Sequence, residues 1–314
     1  MAMSTKTLTF ASDFKTTSIN NKQSIMEKMT FAEYNNALKT VGVSYLGKFD
    51  TSAKLALNGK AGVITYCLYL APWTLASGDG LNINVCPAGK HCAPFCLNAS
   101  GHNKSDILAR GVKGSRINRA RIKKTRLFFT DKVLFMRMLC YELERTRAYA
   151  EKRNMEFSVR LNCTSDISPL AFTLDGKNIL EMYPDVIFYD YTKVVSRMSL
   201  PAHYKNYDLT FSFDGYNLDT CIDALRKGIN IAVVFESQVV PIAWNGYPVI
   251  DMTKTDLRYK DAKGGFVGYL EYHRTAHDYA NGKYVRPNTP FVVKEDDPYI
   301  TYAFKTPKSS EIGE

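Results

Sequence analysis

The chain has 314 residues, of which 45% are hydrophobic, and it carries a formal net charge of +10. A chain of this length and composition can form a large core without disulfide bonds. It has no run of about 18 apolar residues, and its first 40 residues lack the apolar stretch of a signal peptide, so neither a membrane span nor secretion is indicated. We therefore expect a cytoplasmic protein with no membrane contact, whose seven cysteines are reduced.

Composition divides the chain into three parts. Residues 1–40, rich in Thr, Ser, Asn and Lys, are predicted to be a flexible extension, and residues 273–314 a C-terminal extension. No repeat and no Gly/Ser-rich linker interrupts residues 41–272. We expect these central residues to fold as one domain.

The first half of the domain contains one strong strand and a long helical region. Residues 63–70 are apolar and β-branched and end at a proline, which predicts a buried strand. A cysteine loop, residues 84–101, follows it. Residues 105–153 are predicted to be helical, with a break near Phe129 where Thr130 caps a second helix.

The second half alternates between strand and helix patterns. Short helices are predicted at residues 178–182 and after Asn217. Strands are predicted at residues 157–161, 186–189, 208–213, 229–235, 247–250 and 265–270. About six or seven strands separated by helices indicate an α/β fold, a partial or complete parallel (β/α) barrel of the TIM type.

The cysteine loop is the strongest chemical signal. Cys86, Cys92 and Cys96 are separated by five and three residues, with Pro and Gly between them, so their thiolates can converge on one metal. A 4Fe–4S cluster with one open iron position fits three ligands. A zinc site completed by His91 is an alternative. The same spacing would also fit three buried structural cysteines, or a redox pair beside a third cysteine that takes no part in the reaction. The other cysteines are predicted to lie in the core.

Polar residues follow the predicted strands, and in a barrel the carboxyl ends of the strands line the active face. Asp166, Asp190 and Lys193 are the catalytic candidates. The cofactor-binding candidates are Asn162, Ser165, Tyr191, Ser212 and Asp251. Such residues also cap the helices that follow strands, and a metal-dependent hydrolase using Asp166, Asp190 and Asp251 is a further alternative. No zinc-protease, P-loop or dinucleotide-binding motif is present.

Residues 104–126 are strongly basic, with nine Lys and Arg residues against one acid. We predict a basic helix in which Arg116, Arg119, Lys123 and Lys124 contact nucleic acid phosphates. A solvated helix face, or a site for an anionic cofactor, would give the same composition. The segment therefore predicts a nucleotide or nucleic acid partner without deciding between these readings.

Several stretches of the chain resemble the bacteriophage gene-product-88 family. These are residues 43–50, 69–72, 84–87, 96–101, 120–129, 160–166, 188–193, 210–212 and 244–251. Their order and spacing cover residues 42–272. The resemblance implies a phage protein that acts in the host cell.

A strand, a three-cysteine loop and a parallel barrel are also similar, more remotely, to radical SAM enzymes. The usual spacing in those enzymes is three then two residues, and their second strand ends in a Gly-Gly-Glu-like motif, where this chain has Arg160-Leu-Asn162. The resemblance implies a 4Fe–4S cluster that binds S-adenosylmethionine. Our leading hypothesis is a radical-SAM-like enzyme acting on a nucleotide or nucleic acid. The rival is a non-catalytic nucleic-acid-binding protein stabilised by zinc or a cluster.

Overall fold

The computed structural model describes residues 28–49, 53–280, 283–285 and 288–303. The α-helices of these residues are α1 Phe31–Val41, α2 Ala53–Lys60, α3 Gly101–Arg110, α4 Arg116–Thr130, α5 Lys132–Glu151, α6 Ile179–Met182, α7 Leu200–His203 and α8 Leu218–Arg226. The strands are β1 Gly47–Lys48, β2 Val63–Leu68, β3 Glu156–Arg160, β4 Thr173–Leu174, β5 Lys177–Asn178, β6 Ile187–Thr192, β7 Tyr207–Ser212, β8 Ile231–Phe235, β9 Ala243–Trp244, β10 Tyr247–Asp251, β11 Val267–Glu271, β12 Tyr279–Ala280, β13 Lys283–Tyr284, β14 Val292–Val293 and β15 Ile300–Thr301.

One large, mostly parallel sheet organises the fold. Its strand order is β1-β2-β3-β6-β7-β8-β11-β10-β9-β15, and β14 pairs with β8. Seven strands of five or six residues run parallel to their neighbours, namely β2, β3, β6, β7, β8, β11 and β10. This confirms the predicted α/β class. The pairing seen in the described residues does not join the two ends of the sheet, so closure into a barrel stays a prediction.

After β8 the strand order departs from chain order, because β11, β10 and β9 follow in reverse. β10 precedes β11 in the chain but lies outside it in the sheet. A tight hairpin joins β9 to β10, in which Asn245 and Gly246 have φ angles of 48° and 78°. These left-handed angles are those of a type I′ turn, which matches the twist of antiparallel strands. The hairpin adds an antiparallel edge to the parallel sheet.

The side chains of β2 lie on two faces of the sheet, one of which packs against the main core. β2 is buried along its whole length. Tyr66 and Leu68 pack in the main core with Phe135 and Leu139 of α5. Because successive side chains of a strand point to opposite faces, Cys67 lies on the other side of the sheet. That side carries the candidate site.

A buried glutamate ties the N-terminal helix to the core. Glu142 of α5 accepts hydrogen bonds from the hydroxyls of Tyr34 and Tyr66 and from the N–H groups of Leu46 and Gly47. The described part of the predicted flexible extension, residues 28–40, is therefore mostly the packed helix α1. Its capping box at Thr30 and Glu33 begins the helix. Residues 1–27 of the prediction lie outside the described residues.

The long helical region is three helices rather than two. Gly111 ends α3 with a φ of 74°, and the basic segment therefore divides between α3 and α4 instead of forming one helix over residues 104–126. The second break falls where it was predicted. However, Asp131 caps α5, accepting from the N–H of Leu134 at 3.0 Å, whereas the Thr130 hydroxyl bonds back to Arg126 O.

The predicted C-terminal extension contributes to the sheet. Val292 pairs with Val234 and Val293 with Phe235, so β14 lies beside the end of β8. Both valines are buried. Residues 288–303 are thus part of the folded unit, and residues 304–314 lie outside the described residues.

Candidate functional site

A cavity of about 1510 Å³ lies at the carboxyl ends of the parallel strands. Its wall includes the last residues of neighbouring strands, among them Arg160 of β3, Ser212 of β7 and Glu271 of β11. In parallel α/β sheets this edge is where ligands bind, because the loops there converge around one opening. Most of the predicted site residues lie on this wall.

The cysteine loop lines the cavity, and Cys86 is fixed by backbone contacts. Its sulfur accepts a hydrogen bond from the N–H of Trp73 at 3.2 Å. The N–H of Gly89 donates to Cys86 O at 2.9 Å, and a Cβ at residue 89 would lie 2.8 Å from the Cys86 Cβ. Glycine is therefore needed for the chain to fold this tightly around the thiol.

Cys92 and Cys96 line the same cavity as Cys86. The Cys92 thiol donates to Gly89 O at 3.5 Å, and Cys96 accepts from the N–H of Asn98 at 3.5 Å. Burial raises the pKa of Cys86 to about 12 and also raises the pKa of Cys96. Without a metal these two thiols are protonated at neutral pH, and binding a metal would release their protons.

The three thiols are suitable metal ligands, but their sulfur atoms do not converge on one point. Within the described ranges, no three His, Cys, Asp or Glu side chains form a group that could hold a metal ion. The donor set fits iron, since two sulfurs already accept backbone N–H bonds of the kind that stabilise thiolates. A change of χ1 rotamer moves a cysteine sulfur by about 3 Å, so convergence needs side-chain rotation. The His91 ring packs on Tyr216, with centroids 4.1 Å apart, instead of joining the thiols.

Two of the three predicted catalytic residues reach the cavity. Asp166 and Lys193 line it, whereas Asp190 does not. Asp190 is buried and accepts from the N–H and the side-chain amide of Asn162 at 2.8 and 2.9 Å. Its pKa is raised to about 7 because it is buried. Asp190 therefore positions the loop behind the site.

The Asp166 carboxylate is bound by three neighbouring groups, and one of these bonds positions the backbone of Lys193. Its carboxylate accepts from the Thr192 hydroxyl at 2.9 Å and from the N–H of Lys193 at 3.1 Å, and it pairs with Arg197. The Lys193 ammonium lies over the ring of Phe291, 5.7 Å from its centroid. Among the catalytic candidates, Lys193 is the one whose charged group is left for a ligand.

Four of the five cofactor-binding candidates line the cavity, and one does not. Asn162, Ser165, Tyr191 and Ser212 are on its wall. Asn162 is held by Asp190 and by Ile167 O, and the Ser165 hydroxyl donates to Asn162, so both stabilise the loop. Asp251, at the end of β10, is not on the wall and accepts from the N–H and the hydroxyl of Thr253. Asp166, Asp190 and Asp251 do not converge, which weighs against the hydrolase alternative.

The predicted nucleic-acid-binding residues divide between two faces of α4. Arg119 and Lys123 are exposed, and Arg116 is also exposed but helps to line the cavity. Lys124 is buried on the cavity wall, where its ammonium donates to Leu46 O at 2.8 Å. Burial lowers the pKa of Lys124 to about 8. The four residues therefore do not act as one basic surface.

Sequence reasoning missed several residues of the wall. Cys67 and Cys163, predicted to be core residues, line the cavity, and the Cys163 thiol donates to Arg160 O at 3.8 Å. Arg160 pairs with Asp256 at 2.6 Å, across 96 residues of sequence, and lies 4.7 Å from the Tyr191 ring centroid. Cys163 falls in the polar run after a predicted strand, which was the available signal.

Arg121 was also missed, and here too a signal existed. It lies on the cavity wall, four residues before the buried Thr125 and seven before the buried Phe128. This spacing is that of the inward stripe of α4. Periodicity could therefore have separated Arg121 from the exposed cations of the same segment.

Fold and site together define an α/β protein with a ligand-sized cavity at the carboxyl edge of a mostly parallel sheet. None of the helices in the described part of the chain is long and apolar enough to cross a membrane. The chain belongs to the bacteriophage Gene product 88 family, whose sequence model matches residues 36–283. Comparisons with curated proteins and with solved structures found no match. They lend no support to the likeness to radical SAM enzymes.

Proposed function

We propose that this phage protein is an iron–sulfur protein that holds a 4Fe–4S cluster on Cys86, Cys92 and Cys96 and acts as a radical-SAM-like enzyme. The observation that carries the proposal is that all three thiols of one short loop line a single cavity at the carboxyl edge of the sheet. This edge is where α/β enzymes bind their substrates. S-adenosylmethionine, implied by the remote resemblance, is part of the proposal.

The chain's own residues would hold the cluster and position the substrate. The N–H groups of Trp73 and Asn98 donate to Cys86 and Cys96 and would stabilise negative charge on their sulfurs. When bound, the cluster supplies one-electron chemistry and an open iron position. Lys193, fixed through Asp166, would hold a substrate beside the thiols.

The proposal is tested by anaerobic reconstitution of the full chain with iron and sulfide. We expect about four irons per chain and the broad visible absorption of thiolate-bound iron, both lost in Cys86→Ala, Cys92→Ala and Cys96→Ala variants. Cys140→Ala is the matched control, because Cys140 lies on α5 and packs with the main core. Equal iron content in the wild type and in a variant with all three cysteines replaced by alanine would disprove cluster binding at this loop. A single zinc would favour the zinc alternative.

The second candidate is a non-catalytic nucleic-acid-binding protein. The observation that favours it is the exposed stripe of Arg116, Arg119 and Lys123, which are spaced three and four residues apart on α4. Such a stripe can follow a phosphate backbone. Lys124 is excluded from this stripe because it is buried.

A salt titration distinguishes this candidate. If it is right, single- or double-stranded DNA binds with an affinity that falls steeply as KCl rises. The Arg116→Gln, Arg119→Gln, Lys123→Gln triple variant should lower the log–log salt slope by about two to three. Lys205→Gln, an exposed lysine elsewhere, should leave the slope unchanged. Equal DNA affinity of wild type and triple variant would remove the candidate.

A further inference from the structure

The cavity wall carries an excess of positive charge. Eight lysines and arginines line it, against three carboxylates. Two of those carboxylates are already paired, Asp166 with Arg197 and Asp256 with Arg160. A concave surface with cations left over concentrates anions, because field lines focus in the cleft.

Arg121 is one of the unneutralised cations. Its guanidinium lies 5.0 Å from the ring centroid of Tyr69 and hydrogen-bonds the side-chain carbonyl of Asn98. It forms no ion pair with a carboxylate in the part of the chain that the structure describes. Burial lowers the pKa of Arg121, because removing a charged guanidinium from water is unfavourable.

Lys193 supplies a second cation on the cavity wall. Arg121 hydrogen-bonds the side chain of Asn98, two residues after Cys96, whereas Lys193 lies over Phe291, whose ring stacks on that of Phe95, the residue before Cys96. The Lys193 ammonium makes no hydrogen bond or ion pair within the described ranges, and its partner there is the face of Phe291. Its backbone is fixed by Asp166, so the side chain starts from a defined position.

The amino end of α3 adds a third positive feature. Residues 100–104 line the cavity. Ser100 precedes the helix, but its hydroxyl donates to Leu97 O at 2.7 Å and does not cap the helix, and no acidic residue lies in the first turn. The first N–H groups of a helix without a cap attract oxyanions.

We propose that the cavity binds a small organic oxyanion, whose phosphate or carboxylate group lies between Arg121 and Lys193 beside Cys96. The rings of Phe95 and Phe291, stacked at 6.0 Å, give the organic part an apolar wall. The inference rests on the proposed function for the role of this ligand as substrate. The binding site itself requires only the described side chains.

The test is calorimetric titration of the full chain with four probes: adenosine monophosphate, adenosine, inorganic phosphate and benzoate. We expect the monophosphate to bind and adenosine to bind at least ten-fold more weakly. Phosphate binding would identify a phosphate ligand, and benzoate binding a carboxylate ligand. Absence of binding by all three anions would overturn the inference.

Variants locate the site. Arg121→Gln and Lys193→Gln should each weaken anion binding about ten-fold or more, whereas Arg121→Lys, which keeps the charge, should retain part of it. Arg226→Gln is the matched control, because Arg226 is exposed on α8 and does not line the cavity. Unchanged affinity in both Gln variants, with circular dichroism showing a folded chain, would place the anion elsewhere and refute the site.

The same titration on the Cys86, Cys92, Cys96→Ala triple variant separates the two proposals. The oxyanion site should survive loss of the thiols. Normal iron loading without anion binding would refute this inference alone. Anion binding in a chain that takes up no iron would refute the proposed function alone.

Discussion

At the scale of single residues, burial changes the chemistry of groups that the sequence displays as equivalent. Asp166 and Asp190 both follow a predicted strand, yet one lines the cavity and the other is enclosed behind it. Asp166 is neutralised by Arg197. Asp190 instead accepts from the backbone N–H and the side-chain amide of Asn162. The two carboxylates therefore have different surroundings although both follow a predicted strand.

Asp190 should make stability depend on pH. In the unfolded chain it loses its proton near its ordinary pKa of 3.8, but in the folded chain only near 7, because it is buried. Between these values the folded state binds more protons, so the free energy of unfolding falls as pH rises, by at most about 1.4 kcal/mol per pH unit. Asp190→Asn mimics the protonated form and should lose this fall.

Urea denaturation of the wild type and Asp190→Asn from pH 4 to 8 measures the effect. The difference in free energy of unfolding should shift in favour of the variant up to about pH 7 and stay constant above it. Parallel curves for the two proteins over this range would show that Asp190 does not carry the proton.

At the scale of elements, a side-chain contact decides where a helix begins. Thr130 and Asp131 are both suitable capping residues between α4 and α5. Thr130 is the last residue of α4, and its hydroxyl donates to Arg126 O. Asp131 lies outside both helices and accepts from Leu134, so it alone is the cap.

Asp131→Ala should destabilise the protein by about 1 kcal/mol, because the first turn of α5 loses a bond to an otherwise unsatisfied N–H group. Thr130→Ala, one residue away and also exposed, should change the free energy of unfolding by less than about 0.5 kcal/mol. Denaturant unfolding of both variants measures this. A larger loss of unfolding free energy for Thr130→Ala than for Asp131→Ala would show that Thr130, the predicted residue, is the cap.

At the scale of the whole molecule, the C-terminal segment completes both the sheet and the site. β14 covers the end of β8, and Phe291 stands on the cavity wall beneath Lys193. Gly215 makes this close approach feasible. Its φ is 95°, and a Cβ there would lie 2.6 Å from the backbone of Pro290 and Phe291.

Gly215→Ala should therefore push the segment off the sheet. Gly176→Ala is the control, because Gly176 has a similar φ of 78° but open space around it. Both variants carry the strain of a left-handed alanine, about 1–2 kcal/mol. Only Gly215→Ala adds a backbone clash, and we expect it to lose at least about 1 kcal/mol more in denaturant unfolding. Equal losses would mean that the segment adjusts freely.

The sequence by itself determined the α/β class, the places of most strands and the three-cysteine loop. These features are written in local patterns: apolar runs for strands, a 3.6-residue period for helices, and cysteine spacing. The long helical region was predicted correctly except for its division at Gly111 and its cap at Asp131. Local patterns show where a helix continues, but a cap depends on which of two hydroxyl or carboxyl groups reaches a free N–H.

Only the tertiary structure decided which side chains share the cavity. Arg121, Lys193 and Cys96 come from a helix, a strand end and a loop, and nothing in their spacing brings them together. Asp251, at the end of β10, lies off the cavity wall, which its place after a predicted strand did not reveal. Sheet order sets such neighbours, because contacts between segments far apart in the chain are not encoded in the local pattern of either segment.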